Sequence, residues 1–241
     1  MNTKASKIFS KVFLADKTVN IKLLGDSITH GVGGTGFEMN GEHIVGDYDR
    51  SPEAYCWARQ FKEFMESNYN CTVTNNACTG TKIEFVLEHF DTLVSEQDDI
   101  VLCTIGTNNR HQYYRDAPMH TKESYLRGFY ENVLRLNECF EKSGKDYVLM
   151  ANIPAAPANE QGSDDYARIF HMCDVNDVYT KAAGECGFAF ISMYNLFLEY
   201  CDVRNIDYTT LLCDGLHPNN KGYDVMFHII MQEIGLGKRI Y

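Results

Sequence analysis

The stretch Ile21-Lys22-Leu23-Leu24-Gly25-Asp26-Ser27-Ile28-Thr29 decides the fold, because an apolar run ends there abruptly in a small, hydroxyl-bearing turn. Apolar or aliphatic-stemmed residues at 21–24 suit a strand covered on both faces, and Gly25 permits a sharp backbone departure that exposes the side chains after it. Ser27 then stands at the carboxyl end of a strand. Open α/β sheets bind their ligands at that edge, which makes Ser27 a candidate nucleophile. The same residues suit a plainer role, since Asp and Ser at strand ends commonly cap helices and turn the chain.

Upstream, residues 1–20 read as a lead-in whose Ile8, Phe9, Val12 and Phe13 lie against the domain surface or form a short edge strand. Downstream, glycines from Gly31 to Gly36 and a polar loop through Asp47, Tyr48, Asp49 and Arg50 lead to Ser51-Pro52-Glu53. Ser as cap and Pro at the first helical position predict a helix through Ala54, Trp57, Ala58, Phe61 and Met65. Cys71 to Asn76 predicts a second strand, ending at Ala77-Cys78-Thr79-Gly80-Thr81, and a helix with Ile83, Val86, Leu87, Phe90 and Val94 on one face follows. Asp99 to Ile105 is the clearest buried strand, and it stops at Gly106-Thr107-Asn108-Asn109.

A long loop from Arg110 to His120 precedes a predicted helix from Thr121 to Lys142, with Gly144 as its stop. Then come a strand from Tyr147 to Asn152, a helix from Asp165 to Cys186, a strand from Ala189 to Met193 and a less regular region from Tyr194 to Leu212. A last amphipathic helix carries Tyr223, Met226, Ile229, Ile230 and Ile234. Strands alternating with helices at these lengths predict an α/β fold in which a parallel sheet is covered on both faces.

A chain of 241 residues, 44% hydrophobic, fits one domain with a sizeable core, and nothing in it reads as a linker or repeat. Its 22 Lys and Arg against 33 Asp and Glu give a net charge of −11 with no long basic run, which argues against nucleic acid as a partner. No segment approaches ~18 uninterrupted apolar residues and the opening lacks a secretory core, so no membrane association and a cytoplasmic location are expected. Nine cysteines with no C-x-x-C pair read as reduced thiols. The sequence carries no signature of oligomeric state.

The strand-end turns hold Ser27, Gly80 and Asn108, and the segment Cys213-Asp214-Gly215-Leu216-His217-Pro218 holds a carboxylate and an imidazole three residues apart. A serine hydroxyl is a weak nucleophile until a histidine takes its proton, and a carboxylate fixes the imidazole's tautomer. Asp214 can therefore orient the same His217 that reaches Ser27, while Asn108 and the backbone amides of Ser27 and Gly80 bind the developing oxyanion. Each residue alone has a structural explanation as a cap or turn former. Their joint placement at one sheet edge is what points to acyl transfer.

At this point the sequence resembles the SGNH or GDSL-type serine hydrolases. Gly25-Asp26-Ser27-Ile28 is similar to that family's first block, with the nucleophile at Ser27; Thr79-Gly80 to the second, whose glycine amide lines the oxyanion hole; Gly106-Thr107-Asn108-Asn109 to the third; and Asp214-Gly215-Leu216-His217-Pro218 to the last, which carries the acid and base. Ile28 replaces the usual leucine, Asn109 stands where aspartate is common, and Ala77-Cys78 lacks an earlier glycine. The resemblance implies a three-layer α/β/α sandwich of flavodoxin-like type, with a five-stranded parallel sheet and no metal or organic cofactor.

Other readings are weaker. Gly31-Val32-Gly33-Gly34-Thr35-Gly36 is a literal G-x-G-x-x-G, but it follows the serine turn and leads into no helical pattern, so a pocket wall fits it better than dinucleotide binding. His111 and His120 lack a partner at ligand spacing and read as cleft-rim residues rather than a metal site. A non-catalytic glycan-binding module would have no use for Ser27, Asp214 and His217 together. Asp26, Asn109, Arg110 and Tyr113 are expected to line the substrate site. The loops around Tyr48 to Arg50, Asn109 to Arg115 and Asn159 to Asp165 are polar, which suits a small or glycan ester with a short acyl group, acetyl above all. A lysophospholipid or thioester is the alternative substrate.

Overall fold

The computed structural model describes residues 2–38, 54–113, 121–162 and 166–237, with the backbone alone for 112, 113, 166 and 167. Among the described residues seven strands run in chain order: β1 (Val19–Gly25), β2 (Cys71–Asn75), β3 (Ile100–Thr104), β4 (His111–Tyr113), β5 (Asp146–Met150), β6 (Tyr166–Arg168) and β7 (Ala189–Ile191). Five of them form a parallel sheet in the order β2-β1-β3-β5-β7. The chain builds outward from β1 to β2 on one side, then crosses to β3, β5 and β7 on the other. The crevice between β1 and β3 is thus the point where strand order reverses, and it lies directly after Gly25 and Thr104.

Period-2 alternation divides the core into two. Ile21, Leu23, Ile100, Leu102, Val148 and Met150 face one layer, packed by helices α1 (Thr3–Phe13), α3 (Trp57–Asn68), α9 (Met193–Val203) and α10 (Asn220–Glu233). Leu24, Val101, Cys103 and Leu149 face the other, packed by α4 (Ile83–Glu88), α5 (Phe90–Leu93), α6 (Lys122–Ser143) and α8 (Met172–Cys186). All five residues of β3 are buried, as its unbroken apolar run predicts, and each fully buried leucine or valine contributes about 1.5–3 kcal/mol. Lys22 is the exception in β1. It is 1% exposed and sits 3.6 Å from Asp98, itself buried just ahead of β3, so the charge enters the sheet only with a partner.

Several elements differ from the sequence expectation. Residues 3–13 form a helix rather than an edge strand, with Ala5, Phe9 and Val12 against the sheet. The helix expected from Ser51 begins at Trp57; residues 47–50 and 51–53 lie outside the described residues, and Cys56 is extended because the Tyr55 amide is drawn to the Thr35 carbonyl at 3.0 Å. The helix expected from Asp165 begins at Met172, and Tyr166–Arg168 instead pairs antiparallel with His111–Tyr113. Three-residue strands are too short to carry a period. The region 194–212 holds α9, whose buried Met193, Phe197 and Cys201 do recur at helical spacing, and a 3-10 turn at Tyr208–Leu211. Two short helices, α2 (Ser27–His30) and α7 (Pro157–Glu160), complete the set. No described helix is long and apolar enough to cross a membrane.

Candidate active site

Ser27 opens α2, a single turn capped at both ends. The Asp26 carboxylate accepts from the Ile28 amide at 3.1 Å, and Gly31, in the left-handed region at φ 108°, closes it by donating to the Ser27 carbonyl. Gly25 is needed for space rather than for an unusual backbone angle. A Cβ there would lie 2.3 Å from Thr29 Oγ1 and 2.9 Å from the Thr104 carbonyl, so only glycine lets β1 turn into α2 against β3.

Asp214 and His217 come from the turn between the 3-10 segment and α10. One carboxylate oxygen of Asp214 accepts from the Leu216 and His217 amides at 2.9 and 2.8 Å, and the other lies 2.6 Å from His217 Nδ1. His217 Nε2 is 2.9 Å from Ser27 Oγ. Burial raises the Asp214 carboxyl, but the His217 amide, the His217 ring and the Leu216 amide outweigh it and hold it below the usual carboxylate range. The glycine loop explains how the two segments meet. Gly33, at φ 94°, leaves no room for a side chain: a Cβ would stand 2.4 Å from the Pro218 carbonyl and 3.1 Å from His217 Cβ. Thr35 and Asn220 exchange hydrogen bonds of 2.9 and 3.0 Å, and the Tyr223 hydroxyl donates to the Val32 carbonyl at 2.6 Å. Residues 31–36 are thus a brace between the serine turn and the histidine turn.

Gly80, exposed at φ 80°, and Asn108, half-buried in the 3-10 turn Thr107–Arg110, lie on the turns after β2 and β3. Asn108 Nδ2 donates to the Thr81 carbonyl at 2.9 Å, which joins the two turns and leaves its second N–H for another acceptor. A family model described as the GDSL-like lipase/acylhydrolase family matches residues 23–225, a span that takes in all four turns.

The chain belongs to the GDSL-like lipase/acylhydrolase family. It is an ester hydrolase. Among solved structures, Axe2, an acetylxylan esterase from Geobacillus stearothermophilus, is 18% identical with a TM-score of 0.64, the match covering 92% of this chain and 98% of that one. LAE5, an α/β hydrolase enzyme from the metagenome of Lake Arreo, Spain, is 17% identical with a TM-score of 0.63, covering 92% and 97%. These likenesses show the fold. No curated protein sequence matches the chain.

In this GDSL-like acylhydrolase, three of the four residues expected to touch substrate are structural instead. Asp26 is fully buried; its second oxygen accepts from Asn152 Nδ2 at 3.0 Å, and the same amide donates to Thr107 Oγ1 at 2.6 Å. Burial pushes the Asp26 carboxyl above its ordinary value, and hydrogen bonds from Thr107, Ile28 and Asn152 only partly offset this. Asn109 is buried, with Oδ1 capping the Ile83 amide at 3.0 Å and Nδ2 on Glu84 at 2.8 Å. Arg110 is wholly buried, paired with Glu160 and donating to the Thr107 carbonyl at 3.1 Å. These three hold the Ser27 and Asn108 turns from behind. A polar residue beside a catalytic one has no sequence mark that distinguishes bracing from contact, because strand-end turns put alternate side chains on opposite sides. The Tyr113 side chain, Arg115, His120 and residues 163–165 lie outside the description. Sequence reasoning missed Asn152, which ends an apolar strand as Asn75 and Asn76 do, and read Glu160 only as part of a polar substrate loop, whereas it pairs with buried Arg110.

Proposed function

We propose that the chain is a serine esterase that removes a short acyl group, most simply acetyl, from a carbohydrate or other polar alcohol through an acyl-enzyme at Ser27. The observation that carries the reading is the continuous line Asp214 Oδ2, His217, Ser27 Oγ, at 2.6 and 2.9 Å. Ser27 Oγ attacks the ester carbon while its proton moves to His217 Nε2, and the imidazolium is stabilised by the ionised Asp214. The tetrahedral oxyanion is met by the amides of Ser27 and Gly80 and the free N–H of Asn108. Collapse breaks the bond to the alcohol oxygen, which leaves with the proton from Nε2. Water then attacks the acyl-Ser27 ester by the same route, which releases the carboxylic acid and restores the serine. The substrate class is supported by the polar sequence of the loops that follow the strands and by the fold shared with an acetylxylan esterase.

The test is a panel of p-nitrophenyl esters from acetate to palmitate, run beside acetylated sugars and a lysophospholipid, with Ser27→Ala as control. Acetate should be preferred and chains beyond about eight carbons poor, because each further methylene needs apolar wall to yield its ~0.8 kcal/mol. Preference rising with chain length would transfer the assignment to lipid or thioester substrates. Near-parental turnover in Ser27→Ala would end the acyl-enzyme reading.

A further inference from the structure

The oxyanion role of the Gly80 amide, taken from the reading above, depends on the central peptide of a four-residue turn that the Thr81 amide closes on the Cys78 carbonyl at 3.3 Å, a closure compatible with either orientation of that peptide. Gly80 is exposed, lacks a Cβ and sits at positive φ, so the orientation of its N–H depends on the residue before it. The turn is anchored on both sides of that peptide. Asn75 Nδ2 donates to the Thr29 carbonyl at 3.1 Å, the Cys78 amide to the Gly25 carbonyl at 2.9 Å, and Thr81 Oγ1 to the Cys78 carbonyl at 2.8 Å. None of these bonds holds Thr79 itself. Its hydroxyl lies 2.9 Å from Nδ1 of His30, the last residue of α2, three positions after Ser27 and therefore on the same side of that turn. His30 is 5% exposed and its ring meets Phe37 edge-on at 5.3 Å, so the imidazole is a fixed post.

We propose that His30 is a positioning residue that fixes the Gly80 amide through Thr79, so that the helix bearing the nucleophile also sets the distance between that nucleophile and the oxyanion donor. Ser27 and His30 move as one rigid turn; any shift of the serine is then matched by the amide that must meet the oxygen of the carbon it attacks. A displacement of this kind is felt in the transition state and not in ground-state binding.

The experiment measures kcat and KM for p-nitrophenyl acetate in Thr79→Val, Thr79→Ser, His30→Ala and the double variant His30→Ala with Thr79→Val, each checked for an unchanged Tm. Thr79→Val keeps the shape and removes the hydroxyl, and should lower kcat roughly 10- to 100-fold with KM held within about twofold. Thr79→Ser should restore most of it. The double variant should be no worse than the poorer single, because both remove the same link. Parental kcat in Thr79→Val, no rescue by serine, or multiplying losses in the double variant would overturn the proposal. If His30→Ala fails to fold, the valine and serine pair decides, since the hydroxyl they test faces His30. Labelling of Ser27 by a fluorophosphonate in the parent separates this outcome from failure of the nucleophile assignment, which would abolish labelling altogether.

Discussion

Replacing Asp214 by Asn should be far more damaging than its isosteric shape suggests, and the turn geometry says why. Asp214 Oδ1 accepts two backbone N–H groups, from Leu216 and His217, while Oδ2 faces His217 Nδ1. In the variant the amide oxygen must stay on the two N–H groups, since turning it over would break both bonds at about 0.5–1.5 kcal/mol each. The NH2 group then faces Nδ1, which has to be the acceptor, and the ring proton moves to Nε2. That nitrogen, 2.9 Å from Ser27 Oγ, has no lone pair left for the serine's proton. Reaching the productive tautomer costs roughly 1–3 kcal/mol. Loss of the carboxylate opposite the imidazolium adds about 1–4 kcal/mol at 4 Å, depending on the effective dielectric. The Asp214 side chain is 51% exposed, which favours the lower half of that range. The sum, about 2–5.5 kcal/mol, corresponds to a fall in kcat of roughly 30- to 10⁴-fold with KM little changed. Steady-state hydrolysis of p-nitrophenyl acetate reads it directly, with Tm as a check that the turn is intact. A loss below tenfold, or one carried by KM, would refute the tautomer argument.

Asn108→Ala should lower kcat by ~100-fold with KM nearly constant, because the side-chain amide meets an oxyanion more strongly than a neutral carbonyl; a risen KM with kcat unchanged would make Asn108 a binding residue. His111 is pulled down to about 4 by burial first and then by Arg168, Lys82 and Arg110. Between that value and the ordinary ~6.5 the unfolded chain binds a proton that the folded chain does not, so stability rises with pH across the window and is lost as pH falls. His111→Asn should shrink the drop in Tm between pH 7 and pH 5 by an amount equivalent to about 1–2 kcal/mol, allowing for partial exposure. An identical drop in the variant would place the acid sensitivity elsewhere.

The sequence by itself determined the sheet and the order of its turns. Apolar runs such as residues 100–104 and helical stripes such as Phe129, Val133, Leu136 and Phe140 report burial directly, because strand and helix periods are local properties of the chain. Ser27, Gly80 and Asn108 stood out for a similar reason, each lying on the turn after a strand, whereas Asp214 and His217 stood out by their three-residue spacing in the segment before the last helix. What only the tertiary structure decided is which polar neighbours of those residues face the substrate edge and which brace the fold. Asp26, Asn109 and Arg110 turn inward to partners 126, 26 and 50 residues away, Asn152, Ile83 and Glu160. No local pattern encodes contacts at such separations. The glycine run 31–36 is the clearest case. In sequence it is a false nucleotide motif; in the fold, Gly33 lies against Pro218 and His217 because a side chain there would collide with the very turn that brings the imidazole to the serine.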